Sequence, residues 1–382
     1  MKILFWSAFF IIFYAYIGFP VTLLVLSLFK KQAPLPREEY YPAVSMIIPV
    51  HNEELIIEEK IKNSLSLDYP AGRFQIIVAS DNSTDKTDAI VSGYQNTAKN
   101  IEFFSCGARG GKLSVMKKAV ERATGEILVF TDADAVLEKD AVKNIVMPFS
   151  GSSIGAVSAN VRYFIPALQL KGRDFYWGIE NFIRLFQARL DSLCMVTGPF
   201  WAVRKYLFYR DAPLYAIDDA VLPMYVVKRG YKVVVCVNAR AKVLAHPTIA
   251  ADFMGIKRVA NGGFRAVIHH RQLLNFLHYP ITAYCLLWHK IMRWPTIMFL
   301  VVLFLTNSAL FNSGAYFYRV LFLLQSVFYF AAALGLAAPV FRRYVFFQIP
   351  IYLVSNWTAI FIGFFEVILG RKVLSWHSPR SV

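Results

Sequence analysis

Two acidic pairs carry the most chemistry in this chain. Asp132 and Asp134 flank Ala133 directly after the apolar run Ile127–Thr131, and Asp218 and Asp219 stand just ahead of the apolar stretch Ala220–Val227. Side chains two apart on extended backbone point the same way, so Asp132 and Asp134 can face one divalent cation. Carboxylates supplemented by diphosphate oxygens are what Mg²⁺ or Mn²⁺ prefers. Taken alone, an Asp-x-Asp is more often a solvated strand end. It is not alone here. Pro49-Val50-His51-Asn52-Glu53-Glu54, Ser80-Asp81-Asn82-Ser83-Thr84-Asp85 and Arg109-Gly110-Gly111-Lys112 precede it in order. Each has a bland alternative as a turn, a glycine loop or a helix cap. Their joint occurrence, each in a loop after a strand-like run, is hard to obtain by chance.

The elements that must position these residues are legible as an alternation. Val44–Val50, Phe74–Ser80, Ile101–Ser105 and Ile127–Thr131 read as buried strands. Glu53–Ser66, Asp85–Thr97 and Lys112–Ala123 read as the helices between them. Such a pattern predicts an α/β domain with a mostly parallel sheet over residues 40–250, binding its ligands at the carboxyl ends of the strands. The chain has 382 residues, 57% of them hydrophobic, 16% aromatic and only 17% charged, which excludes disorder and fibrous repeats. Lys+Arg 41 against Asp+Glu 25 gives +16. In so apolar a chain this excess points to anionic lipid or phosphate-bearing substrates before nucleic acid. The scattered cysteines, Cys106, Cys194, Cys236 and Cys285, suggest no disulfide framework and fit a reducing, cytosolic side.

Apolar segments bracket this domain. Ile3–Phe29 carries no charge and, as a helix, would measure about 40 Å, more than a bilayer core needs. Residues 1–30 are therefore expected to be a transmembrane helix; a signal peptide fits less well, since no small-residue cleavage site follows. Lys30, Lys31 and Arg37 place the next segment in the cytoplasm. Residues 251–293 read as interfacial, with Leu273–Trp288 lying in the membrane surface. Residues 294–370 hold three further expected spans, Trp294–Tyr318, Val320–Phe341 and Tyr344–Phe365, before a tail at 371–382. That count puts Arg342-Arg343 inside but Arg371-Lys372 outside, against the charge rule, unless one run is re-entrant.

The order and content of the motifs resemble the inverting family 2 glycosyltransferases with a GT-A fold, a Rossmann-like α/β domain. The layout of apolar segments is similar to the polysaccharide-synthase branch: cellulose, hyaluronan and poly-N-acetylglucosamine synthases. The resemblance covers Ser45–Asp219. It implies that Pro49 and Glu53 lie by the nucleoside, that Asp81 contacts a uracil base, and that Lys112 lies near the nucleotide. Asp132 and Asp134 would be the DxD pair binding Mg²⁺ or Mn²⁺, with Asp134 the more direct ligand. Thr197, Gly198 and Asp218 would line the acceptor side, and Asp219, last in the family's "TED" position, would be the catalytic base. Ser80, Ser114 and Lys117 depart from the family's residues.

The largest departure concerns the processive QxxRW motif, which here reads Gly255-Ile256-Lys257-Arg258-Val259. Arg258 could still neutralise a diphosphate, or it could belong to a lipid-facing cluster with Lys257, Arg265 and Arg271. The missing Trp removes an acceptor-stacking surface and disfavours long-chain synthesis. Trp177 and Glu180, in a stretch of aromatics and charges at helical spacing, either meet an acceptor or simply pack. His246 is a further metal-ligand candidate. The resulting expectation is a membrane enzyme of the plasma (inner) membrane with its catalytic domain in the cytoplasm. It would move a sugar from a UDP-sugar to a lipid or glycan acceptor without contacting nucleic acid. A processive synthase, or a transporter or scaffold with a nucleotide-sensing domain, are the alternatives.

Overall fold

A computed structural model describes residues 1–30, 40–164, 171–244, 248–313 and 315–371, so His246 and Lys372 lie outside the described residues. The chain begins with helix α1 (Lys2–Leu28). The α/β part follows as β1 (Val44–Val50), α2 (Ile57–Leu65), β2 (Phe74–Ser80), α3 (Thr87–Gln95), β3 (Ile101–Ser105), α4 (Lys112–Arg122), β4 (Ile127–Thr131), β5 (Ala135–Leu137) and α5 (Ala141–Val146). It continues through β6 (Ile154–Phe164), α6 (Lys171–Leu190), β7 (Phe200–Arg204), α7 (Asp218–Lys228) and β8 (Lys232–Leu244). Helices α8 (Ile249–His269), α9 (Pro280–Ile291), α10 (Thr296–Leu310), α11 (Tyr316–Ala337) and α12 (Val345–Ile368) complete it.

Eight strands form one mixed sheet in the order β3-β2-β1-β4-β7-β6-β8-β5. The four expected strands are the parallel half, with β1 at its centre and every β1 residue buried. The other half is new relative to the sequence reading: β7 runs antiparallel to β4 and β6, and β5 antiparallel to β8, while β6 and β8 are parallel. One functional consequence follows from the β4–β7 register. Thr131 faces Phe200, and the Asp132 N–H donates to the Pro199 carbonyl at 3.1 Å, so Thr197–Pro199 is pinned beside Asp132. Two apolar layers cover the faces, one centred on Phe130, Trp201 and helices α4 and α7, the other on α2, α3 and α5. Trp201 is fully buried 4.7 Å from the Phe130 ring; truncating such a residue costs about 3–5 kcal/mol.

Helices α1, α11 and α12 are long and apolar enough to cross a membrane. Helices α9 and α10 pass that test only as a pair bent by 62°. The segment read as one span from Trp294 to Tyr318 is divided: α10 stops at Leu310, and Tyr316 already belongs to α11. Helix α8 starts at Thr248, whose Oγ1 accepts from the Ala251 N–H at 3.1 Å. It then lies against α12, where Lys257 Nζ meets Glu366 Oε1 at 2.9 Å. Gly363 lets the backbones touch, since a Cβ there would sit 2.5 Å from the Lys257 carbonyl oxygen. Farther along α8, Gly262 abuts Ile217, where a Cβ would come within 2.3 Å of Cγ2.

Candidate active site

The carboxyl ends of β1 and β2 carry two interlocked loops. Asn52 and Asn82 adopt the left-handed conformation (φ 55° and 59°), which asparagine tolerates better than most residues. Asn52 Oδ1 accepts from the Thr84 N–H at 2.8 Å, and the Glu53 N–H donates to Thr87 Oγ1 at 2.8 Å. These bonds hold Pro49, at the end of β1, and buried Glu53 at the mouth of the cleft. Asp81 is fully buried, and its two oxygens accept the backbone N–H groups of Gly110 (2.7 Å) and Gly111 (2.9 Å). Each carboxylate oxygen already has a backbone partner, so here Asp81 shapes the glycine loop. Gly111 has φ +84°, which side-chain-bearing residues rarely adopt, and that turn delivers Lys112 as the first residue of α4.

Lys112 joins the two acidic motifs. Its Nζ lies 2.8 Å from Asp132 Oδ1 and 3.3 Å from Asp218 Oδ2. Burial opposes the charge on Lys112, but Asp132, Asp218 and Asp219 overcome it and hold the ammonium above the usual lysine range. Asp218 and Asp219 open α7, where helix N-termini favour acids. Asp219 is nevertheless pushed up to about 7, first by burial and then by the neighbouring Asp218 charge, with Lys112 and Arg184 pulling the other way. Its Oδ1 is buried with no hydrogen-bond partner. Its main-chain carbonyl accepts from the Val196 N–H at 2.8 Å.

The Asp132–Asp134 pair sits on a turn, not on the extended strand that the i, i+2 spacing suggested: the Ala135 N–H donates back to the Asp132 carbonyl at 3.2 Å. Among the described residues no group of three or more His, Cys, Asp and Glu stands ready to enclose a metal ion. A pair of carboxylates supplemented by diphosphate oxygens is a donor set that suits Mg²⁺ or Mn²⁺.

Thr197 and Gly198 stand beside Asp219. The Thr197 N–H donates to Ser158 Oγ at 2.9 Å, and a Cβ on Gly198 would lie only 2.8 Å from Asp219 Oδ2. The Trp177 ring stacks on Tyr163 at 4.7 Å. Burial raises the Tyr163 phenol, with Asp134, Asp132 and Asp219 adding to the rise, so this aromatic pair lies within the field of both acidic motifs. Arg258, half-buried on α8, makes no hydrogen bond or ion pair among the described residues, and its neighbour Val259 is 44% exposed.

Two buried cations escaped the sequence reading. Lys60 of α2 donates from Nζ to Thr131 Oγ1 (2.8 Å) and to the Ala135 carbonyl (2.5 Å), clasping both ends of the Asp132–Asp134 turn from beneath. Burial lowers it to about 7, against the pull of Asp134 and Asp132. Arg184 of α6 is 7% exposed and lies on the Asp219 side. In both helices the cation occupies the buried stripe: Ile57, Lys60, Ile61 and Ser64 in α2, and Glu180, Ile183, Arg184 and Gln187 in α6. That periodicity was the available signal.

Residues 45–210 match the family model described as Glycosyl transferase family 2, and the mixed α/β sheet with its acidic turn is that of a GT-A domain. The fold and the match together make residues 45–210 similar to a family 2 glycosyltransferase domain. Over 242 residues the chain is 32% identical to the beta-monoglucosyldiacylglycerol synthase of Synechocystis sp., covering 60% of this chain and 50% of that protein. It is 33% identical over 221 residues to the probable glycosyltransferase YdaM of Bacillus subtilis, covering 54% and 52%. The chain thus spans about half the length of these curated relatives. A mannosyltransferase from Pyrobaculum calidifontis, solved in complex with GDP-Man and Mn²⁺, superposes with a TM-score of 0.70 over 97% of this chain and 100% of that one, at 22% identity. This likeness extends the shared fold to the helices outside the family match.

Proposed function

We propose that this protein is a membrane-embedded inverting glycosyltransferase that moves a sugar from a nucleotide-sugar to a lipid or membrane-proximal glycan acceptor. The reading rests on one observation above all: Lys112 ties Asp132 of the DxD turn to Asp218, leaving the adjacent Asp219 with a buried, unpartnered oxygen in the same cleft. In the transfer, Asp219 accepts the proton of an acceptor hydroxyl. The freed oxygen attacks the anomeric carbon from the face opposite the diphosphate. The bond from that carbon to the diphosphate breaks, and its electron pair leaves with the diphosphate. Lys112 supplies fixed positive charge where negative charge grows on the leaving group, and Arg258 would add to it. Burial brings Asp219 to a range in which a carboxylate is basic enough to act near neutral pH. A Mg²⁺ or Mn²⁺ ion held by Asp132 and Asp134 would neutralise the diphosphate. The names of the relatives, which include beta-monoglucosyldiacylglycerol synthase and N-acetylglucosaminyltransferase, favour a glycolipid or glycan acceptor. Val259, in place of an aromatic platform, favours transfer of one or few sugars over an extruded polymer. The expected setting is the plasma (inner) membrane with the cleft in the cytoplasm.

The test is nucleotide release from purified protein with Mn²⁺ or Mg²⁺ across a panel of UDP-sugars, followed by GDP-sugars. Release from one donor, lost in both Asp219→Asn and Asp134→Ala, is the expected result. Turnover that survives Asp219→Asn would remove the base from the mechanism.

A further inference from the structure

Arg184 occupies an unusual position for a cation. It is 7% exposed, and its one hydrogen bond among the described residues is a long one, from Nη2 to the Met195 carbonyl at 3.3 Å. The N–H of that same peptide unit, on Val196, donates to the Asp219 main-chain carbonyl. One peptide therefore holds Arg184 on one side and the catalytic helix on the other. No ion pair joins Arg184 to Asp219 among the described residues, and Asp219 Oδ1 is itself buried without a partner. A donor-rich guanidinium and the residue that carries the orphan acceptor oxygen are thus tied to the two ends of one peptide unit.

The nearest other acid offers no relief. Glu180, one turn earlier on α6, is committed to His289 (2.9 Å), Lys290 (2.9 Å) and Arg293 (3.2 Å). Arg184 and Arg293 then set two permanent cations, with Lys290 beside them, against that one carboxylate. A guanidinium cannot shed its charge, and burying it unpaired is costly. Its planar fork matches phosphate or carboxylate oxygens two at a time.

We propose that Arg184 is an acceptor-side anion subsite, seating a phosphate carried by the acceptor next to the hydroxyl that Asp219 deprotonates. The inference rests on the transferase reading, and it narrows the acceptor to one bearing a hydroxyl close to an anionic phosphate. Such a group satisfies both orphans at once: its hydroxyl donates to Asp219 Oδ1, and its phosphate oxygens accept from Arg184. Donor diphosphate is served by Lys112, which contacts Asp132 and Asp218.

Calorimetric titration of the full-length protein in detergent tests this without turnover. The probes are dodecyl phosphate and inorganic phosphate. Dodecyl phosphate is expected to bind saturably, about tenfold or more weakly in Arg184→Gln, with most of the affinity kept in Arg184→Lys. UDP affinity reports whether each variant is folded. Asp219→Asn, which removes a nearby negative charge, is expected to tighten phosphate binding. Equal binding of inorganic phosphate supports a site for the bare anion, and binding of dodecyl phosphate alone supports a lipid-borne one. Absence of saturable binding to the wild type, or unchanged affinity in folded Arg184→Gln and in Asp219→Asn, overturns the subsite. Failure of donor turnover in the wild type would instead count against the transferase, since phosphate binding does not require it.

Discussion

The acid limb of the pH–rate profile is a direct reading of the Asp219 environment. Asp219 acts as a base only when deprotonated, and burial together with Asp218 places its pKa at about 7. kcat/KM should therefore fall below neutrality, approaching a tenfold loss per pH unit. Asp218→Asn removes the largest neighbouring negative charge and leaves the Lys112–Asp132 contact at 2.8 Å in place. A charge at this range shifts a carboxyl by roughly one to three units. Taking the low end, the limb moves to about pH 6. At pH 6 the deprotonated fraction then rises from about one in eleven to about one half, roughly a fivefold gain relative to each enzyme's own plateau. The assay is initial-rate nucleotide release from pH 5 to 9 at saturating metal. A limb that stays put, or moves to higher pH, would refute the electrostatic account of the base.

Four further outcomes are expected. Gly198→Ala drives a Cβ into Asp219 Oδ2 and should lower kcat at least tenfold while leaving UDP affinity, measured by calorimetry, nearly unchanged. Asp81→Asn loses charge-assisted bonds to Gly110 and Gly111, about 1–3 kcal/mol, and should raise the donor KM and lower the melting temperature together. Because folding raises the pKa of Asp219, its contribution to stability is full below about pH 4 and is lost as pH rises through about 7; thermal melts of Asp219→Asn should lack that decline. Glu366→Gln breaks the partly buried pair with Lys257 and should cost up to about 3 kcal/mol, seen as a lower unfolding temperature in detergent.

The parallel half of the sheet was legible because doubly covered strands are written as unbroken apolar runs, and β1 to β4 fall on the residues expected. The antiparallel half was not. Strand β5 has three residues, and β8 carries Lys232, Asn238, Arg240 and Lys242 on its exposed positions, which reads as loop. The acidic residues of the site could be picked out by type and order, yet their contacts could not. No spacing rule says that Asp81 turns to the glycine amides, or that Lys112 reaches both Asp132 and, more than a hundred residues away in sequence, Asp218. Lys60 and Arg184 were passed over because a cation on a helix is nearly always solvated. Only packing reveals that these two face inward.

The glycine contacts of α8 leave no slack between the apolar helices and the chemistry. Gly363 brings α12 onto the α8 backbone, and Gly262 brings α8 onto Ile217, the residue immediately before the acidic pair. A change in the tilt of α12 is thereby handed toward Asp218 and Asp219 through two close contacts, the second made by the stiff, β-branched Ile217. Turnover should accordingly respond to the length of the surrounding acyl chains, passing through an optimum in a series of bilayers of graded thickness. A transferase seated in that bilayer would then act as a gauge of its thickness.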